Sequence, residues 1–124
     1  MLWLPIAYAI KPSFEDGSSC GFTPKGEDGT YTVHIQVKYA QRRMHLSSEQ
    51  MAPIARAVSN LRLPPLASGN GLDGTMYSLT VGALNSITYS WWETIPDEWA
   101  ALQPIIAEIE RLTDLRNEKA YLGL

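Results

Sequence analysis

The hydrophobic and polar positions of the chain repeat with a period of two in four stretches. Tyr31, Val33, Ile35, Val37 and Tyr39 alternate with Thr32, His34, Gln36 and Lys38, which predicts a half-buried strand over 30–39. Tyr77, Leu79 and Val81 alternate with Ser78 and Thr80, and Ile87, Tyr89 and Trp91 alternate with Ser86, Thr88 and Ser90. These runs predict antiparallel strands over 75–82 and 86–92, joined as a hairpin through a turn at Gly82 to Asn85. Asp73-Gly74 supplies a tight turn just before the hairpin, because glycine accepts the positive φ such turns need. At the start of the chain, Leu2, Leu4, Ile6, Tyr8 and Ile10 share one face of a fourth strand over 2–10.

Two stretches carry a helical period instead. Met51, Ile54, Val58 and Leu61 form an apolar stripe, preceded by Ser47 or Ser48 as a cap, with Gln50 at capping-box spacing from Ser47. This predicts a helix over 49–61. Pro53 fits best in its first turn, which would start the regular part nearer Ala52, and Pro64-Pro65 ends it ahead of a linker over 62–71. After the hairpin, Pro96-Asp97-Glu98-Trp99 predicts a short helical turn at 97–101 with its acids at the N-terminal end, where the helix dipole favours them. A main helix over 103–116 follows. Leu102, Ile105, Ile106, Ile109, Leu112 and Leu115 face the sheet, and Glu108, Glu110, Arg111 and Asp114 face water.

Residues 11–29 are dense in glycine, proline, serine and acid, and predict a long loop, anchored by Phe14 and Phe22 and open to a short strand near Ser18 to Thr23 around Cys20. A faint echo runs through the chain. Asp28-Gly29-Thr30-Tyr31 anticipates Asp73-Gly74-Thr75, and Gln50-Met51-Ala52-Pro53-Ile54-Ala55 resembles Gln103-Pro104-Ile105-Ile106-Ala107. Each half would then be strands followed by a helix. The predicted fold is α+β, an antiparallel sheet of about four strands with two helices packed on one face, in a single domain over 1–124.

Composition changes this picture little. With 124 residues, 45% of them hydrophobic, the chain is sized for one core. A net charge of −3 argues against the nucleic-acid backbone as main partner. The charge is lopsided: residues 1–62 hold seven Lys/Arg against five Asp/Glu, and residues 63–124 hold three against eight. The acidic half suits a basic protein partner or, equally, a solvated helix face. Cys20 is the only cysteine, so no internal disulfide forms; it is expected to be dispensable for folding, and the chain to be cytoplasmic. The apolar start lacks a basic segment and is too short to cross a bilayer.

No catalytic, cofactor or metal motif stands out. His34 lies on the polar face of a strand and His45 in the turn before a helix, settings too different to suggest a metal pair. Gly69-Asn70-Gly71-Leu72-Asp73-Gly74 matches a dinucleotide fingerprint as a string, but a proline-rich linker precedes it and a strand follows. Asp97 and Glu98 are explained by a helix start. Arg42 and Arg43, with Lys38 and His45, make a basic cluster at a strand end that suits an anion, an acidic partner or plain water. The tryptophans say more. If Trp91 joins the core with Tyr89, Trp92 projects from the Ser86, Thr88, Ser90 face, either as a binding anchor or covered by the 11–29 loop or Trp99. The polar face of the sheet is rich in short hydroxyl side chains, fit for a flat hydrogen-bonding surface or for solvent.

The run Asp73-Gly74-Thr75-x-Tyr77, then Thr88-Tyr89-x-Trp91-Trp92, then Pro96-x-x-Trp99-x-x-Leu102 resembles small bacterial immunity proteins that accompany secreted or polymorphic toxins. The resemblance spans residues 72–115. It implies a cytoplasmic, non-catalytic protein that binds a cognate toxin or effector protein and blocks its active site, with no cofactor, no nucleic acid and no membrane. Immunity proteins share no catalytic motif, so the resemblance carries over no residue. Matching of charge with a basic toxin points instead to Glu15, Asp16, Glu27 and Asp28 of the long loop and to Glu93, Asp97 and Glu98 beyond the hairpin, with Trp92 as the apolar anchor between them. The alternative is a small-ligand-binding or enzyme-accessory α+β domain with a pocket between the 11–29 loop and the sheet.

Overall fold

In the computed structural model the chain is described over residues 4–13, 16–26, 28–63, 74–82 and 86–116. Residues 2–3, Phe14, Glu15, Glu27, the 64–73 linker with Pro64-Pro65 and Asp73, most of the Gly82–Asn85 turn and the tail beyond Arg116 lie outside it. The order is β1 (Ile6–Pro12), β2 (Ser18–Pro24), β3 (Tyr31–Val37), β4 (Ala40–Leu46), α1 (Ser48–Ser59), β5 (Thr75–Val81), β6 (Ile87–Trp92), a 3-10 helix (Asp97–Leu102) and α2 (Gln103–Thr113).

The class is α+β, as the periodicity predicts, but the sheet has six strands rather than about four, all antiparallel, in the order β4-β3-β2-β1-β5-β6. Both additional strands come from stretches without clean alternation. β2 lies within the predicted loop, at the place of the short strand expected near Ser18 to Thr23 and one residue longer: only Cys20 and Phe22 point inward, and Ser19, Gly21 and Thr23 point out. β4, Ala-Gln-Arg-Arg-Met-His-Leu, is an edge strand with just Leu46 fully buried. Its hairpin with β3 turns on Lys38-Tyr39, with Lys38 at φ 52, and lacks the Asn-Gly or Asp-Gly that normally marks a two-residue turn. His45 therefore sits in a strand opposite Thr32, not in a turn, and Arg42 and Arg43 point to opposite faces instead of forming one cluster.

The core lies between one sheet face and the helices. Ile6, Tyr8, Phe22, Tyr31, Val33, Ile35, Val37 and Leu79 supply the sheet side, and Met51, Ile54, Trp99, Leu102, Ile105 and Ile109 the helical side. Cys20, 4% exposed, belongs to this core, so the residue expected to be dispensable for folding is a buried one. Ser47 caps α1 through a complete capping box: the Gln50 N–H donates to Ser47 Oγ at 3.2 Å, and the Ser47 N–H donates to Gln50 Oε1 at 2.9 Å. With both ends of that box satisfied the helix starts at Ser48, and Pro53 falls inside it rather than in the first turn. Its ring faces solvent, and the cost is one intrahelical bond. Pro104 opens α2, where a missing N–H is harmless, and Asp114, at φ 53, ends it. The two echoing segments occupy equivalent places, since β3-β4 and β5-β6 are each a hairpin followed by a helix. Gly29 and Gly74 both take positive φ on entry.

Candidate functional site

The strand register sorts side chains onto two faces, and all helices take the same one. The other face is solvent-facing. Across it run two rows, Arg43, His34, Gly21, Ala7, Thr80, Thr88 and Gln41, Gln36, Ser19, Ala9, Ser78, Ser90. Its middle is made of small residues. His45 and Thr32 meet at one end, with Thr32 Oγ1 3.3 Å from His45 Nδ1, and Lys11, Met76 and Trp92 line up at the other. His34 and His45 thus share one face of neighbouring strands, contrary to the expectation of unlike settings. Among the described residues no acid lies on this face; every one sits in a loop or in the helical layer. Among them too, no group of three His, Cys, Asp or Glu side chains is placed to hold a metal ion, and no helix is long and apolar enough to cross a membrane.

Trp92 occupies the end of β6, half-buried, on the open face. The backbone there is held tightly. Glu93 takes φ 58, its N–H donates to the Thr75 carbonyl at 2.9 Å, and its Oε1 accepts the Thr75 N–H at 2.8 Å. A β-carbon on Gly74, at φ 116, would collide with that carboxylate, so glycine is required. Ser13 ties the β1–β2 turn to the same place, its hydroxyl donating to the Gly74 carbonyl at 2.6 Å. Asp16, in that turn, and Glu93 therefore belong to the Trp92 end of the sheet, both exposed. Asp97 and Glu98 follow four and five residues after Glu93, exposed at the start of the 3-10 helix whose Trp99 packs edge-on against Tyr89 at 5.2 Å between centroids.

Asp28 is elsewhere. It lies in the β2–β3 turn at the opposite end of the strands, about 20 Å away along a seven-residue strand. Its carboxylate accepts the Thr30 hydroxyl at 2.7 Å and the Thr30 N–H at 3.1 Å, and these bonds hold its carboxyl below the usual range. The two acidic sets expected to meet are thus separated: Asp16 and Glu93 lie at the Trp92 end of the sheet, Asp97 and Glu98 follow at the start of the 3-10 helix, and Asp28 turns the far end. Glu15 and Glu27 fall outside the described residues.

One group of residues escapes sequence reasoning. Glu110, expected to face water, accepts the hydroxyl of Tyr8, a fully buried residue of central strand β1, at 2.8 Å, and Arg116 Nε at 2.8 Å. Burial, with the Glu110 bond adding to it, pushes the Tyr8 phenol well above its ordinary value. Arg116 also lies over the Tyr77 ring at 5.2 Å, and that ring stacks on Trp91 at 5.9 Å. Together they bound an open concavity of about 320 Å³ beneath α2. Their separation, up to 108 residues from Tyr8 to Arg116, leaves no local signal; the one hint is that Glu110 follows Ile106 by four positions, at the margin of the apolar stripe.

Compared with protein-family models and with curated proteins, the chain matches none.

Proposed function

We propose that this chain is a protein-binding inhibitor of the immunity type, a cytoplasmic, non-catalytic partner that neutralises a cognate bacterial toxin by occluding its active site. The observation that carries the reading is Trp92: an aromatic side chain half-buried on the open sheet face, with Asp16 and Glu93 in the turns at the same end of the sheet and Asp97 and Glu98 exposed at the start of the helical turn that follows. Such an arrangement pairs an apolar anchor with a field that speeds approach of a basic surface. A co-encoded partner is the natural probe. Trp92→Ala should raise the dissociation rate, and Asp97→Lys with Glu98→Lys should slow association and weaken its salt dependence, both with the fold intact. Unchanged kinetics in both variants against a confirmed toxin would exclude this surface.

A second reading, small-ligand binding, rests on the concavity of Tyr77, Trp91, Glu110 and Arg116, which offers an aromatic wall and a charge pair. A ligand there would protect the chain thermally without any protein partner.

A further inference from the structure

The two edges of the sheet are built differently. Backbone bonds from Glu93 N–H to Thr75 O and from Ser13 N–H to Gly74 O fix the alternation on either side of β5. Residues 87, 89 and 91 of β6 bond to β5, so the backbone groups of Thr88, Ser90 and Trp92 point away from the sheet. On β4 the same parity sends those of Gln41, Arg43 and His45 outward.

β4 carries Arg42 and Arg43, charges that discourage another strand from pairing. β6, Ile-Thr-Tyr-Ser-Trp-Trp, carries no charge and no proline. Ile87 is 56% exposed beside it. Among the described residues, only the Trp92 carbonyl has an outward partner, the Thr94 N–H at 2.6 Å. An edge of this kind, left open, is a template for a further strand.

We infer that β6 pairs antiparallel with β6 of a second copy, joining two sheets into one of twelve strands. A two-fold axis at Ser90 sets Ser90 against its own counterpart and Thr88 against Trp92 of the second copy, so the outward N–H and carbonyl of Ser90, the Trp92 N–H and the Thr88 carbonyl meet partners, while the Trp92 carbonyl keeps its bond to Thr94. The strand is uncharged, and the Glu93 carboxylates fall at opposite ends of the interface, so no like charges face one another. The contact also closes. It consumes both β6 edges and leaves only the arginine-bearing β4 strands at the rims, which stops further growth and favours a dimer over a fibre. The side chains of Thr88, Ser90 and Trp92 remain on the open face.

The test needs only the purified full-length chain. Sedimentation equilibrium should show a reversible dimer, with a dissociation constant of roughly micromolar or weaker for so small an interface. Amide exchange should slow at Thr88 and Ser90 as concentration rises, while the Tyr89 and Trp91 amides, bonded within the monomer, stay protected throughout. Ser90→Pro removes only an outward N–H and spares the ladder to β5, so it should weaken the dimer about tenfold or more while the urea midpoint at low concentration holds. Ser90→Lys, placing two cations at the axis, should do the same. A monomer at all concentrations up to hundreds of micromolar overturns the inference, as does a dimer indifferent to both variants or one broken instead by Arg43→Glu on the opposite edge.

Discussion

Tyr8→Phe removes one oxygen from the middle of the molecule and should cost more than its size suggests. The Tyr8 ring is fully buried in central strand β1, and its hydroxyl donates to Glu110 Oε1 at 2.8 Å, joining the sheet to the last turn of α2. A bond to a charged acceptor contributes about 1.5–3 kcal/mol. Glu110 keeps its second partner, Arg116, and is 24% exposed, so water replaces part of what is lost. The expected loss is therefore near the lower end, about 1.5 kcal/mol, or roughly 5 °C in Tm for a domain of this size. Urea unfolding followed by tryptophan fluorescence reads it directly. A cycle with Glu110→Ala should give a coupling of about 1 kcal/mol, because both substitutions remove the same bond. The pH dependence supplies a second reading. The folded phenol is held above its ordinary value, so it stays protonated where the unfolded tyrosine ionises; its stabilisation is whole below about pH 10 and fades as pH rises. Tyr8→Phe should flatten that alkaline decline. A loss under about 0.3 kcal/mol with no coupling would show that the phenol merely fills space.

Ile109→Ala should cost about 2–5 kcal/mol in the same urea assay, since Ile109 is wholly buried between α2 and the sheet and its removal leaves a cavity; a loss below 1 kcal/mol would place it at a collapsible margin. Burial pushes the Cys20 thiol up to about 12, so the folded chain should resist a thiol reagent at pH 8 and react on denaturation. By the same sign argument Cys20 contributes stability that is present below its ordinary value near 8.5 and lost as pH climbs towards 12.

The periodicity of the chain by itself determined β3, β5, β6 and both helices. β3, β5 and β6 lie within a residue or two of their expected limits, the Ser47–Gln50 capping box starts α1, and the short turn before α2 is a 3-10 helix. These signals are local: alternation, a cap, a proline at a helix start. β4 was not legible, and β2 showed only as a short strand near Ser18 to Thr23 inside a predicted loop. β4 fully buries only Leu46, at one end of one face, so it carries little hydrophobic pattern, and β2 pairs on both sides through its backbone while burying only Cys20 and Phe22. The candidate site divides along the same line. That Trp92 leaves the core opposite Trp91 follows from alternation alone. Which acids accompany it was decided by the tertiary structure, because strand direction puts Asp16 and Glu93 at one end of the sheet and Asp28 at the other. The open face, free of acids among the described residues, the Tyr8–Glu110–Arg116 network and the β6 edge likewise come from register and strand order, which pair residues that no spacing along the chain relates.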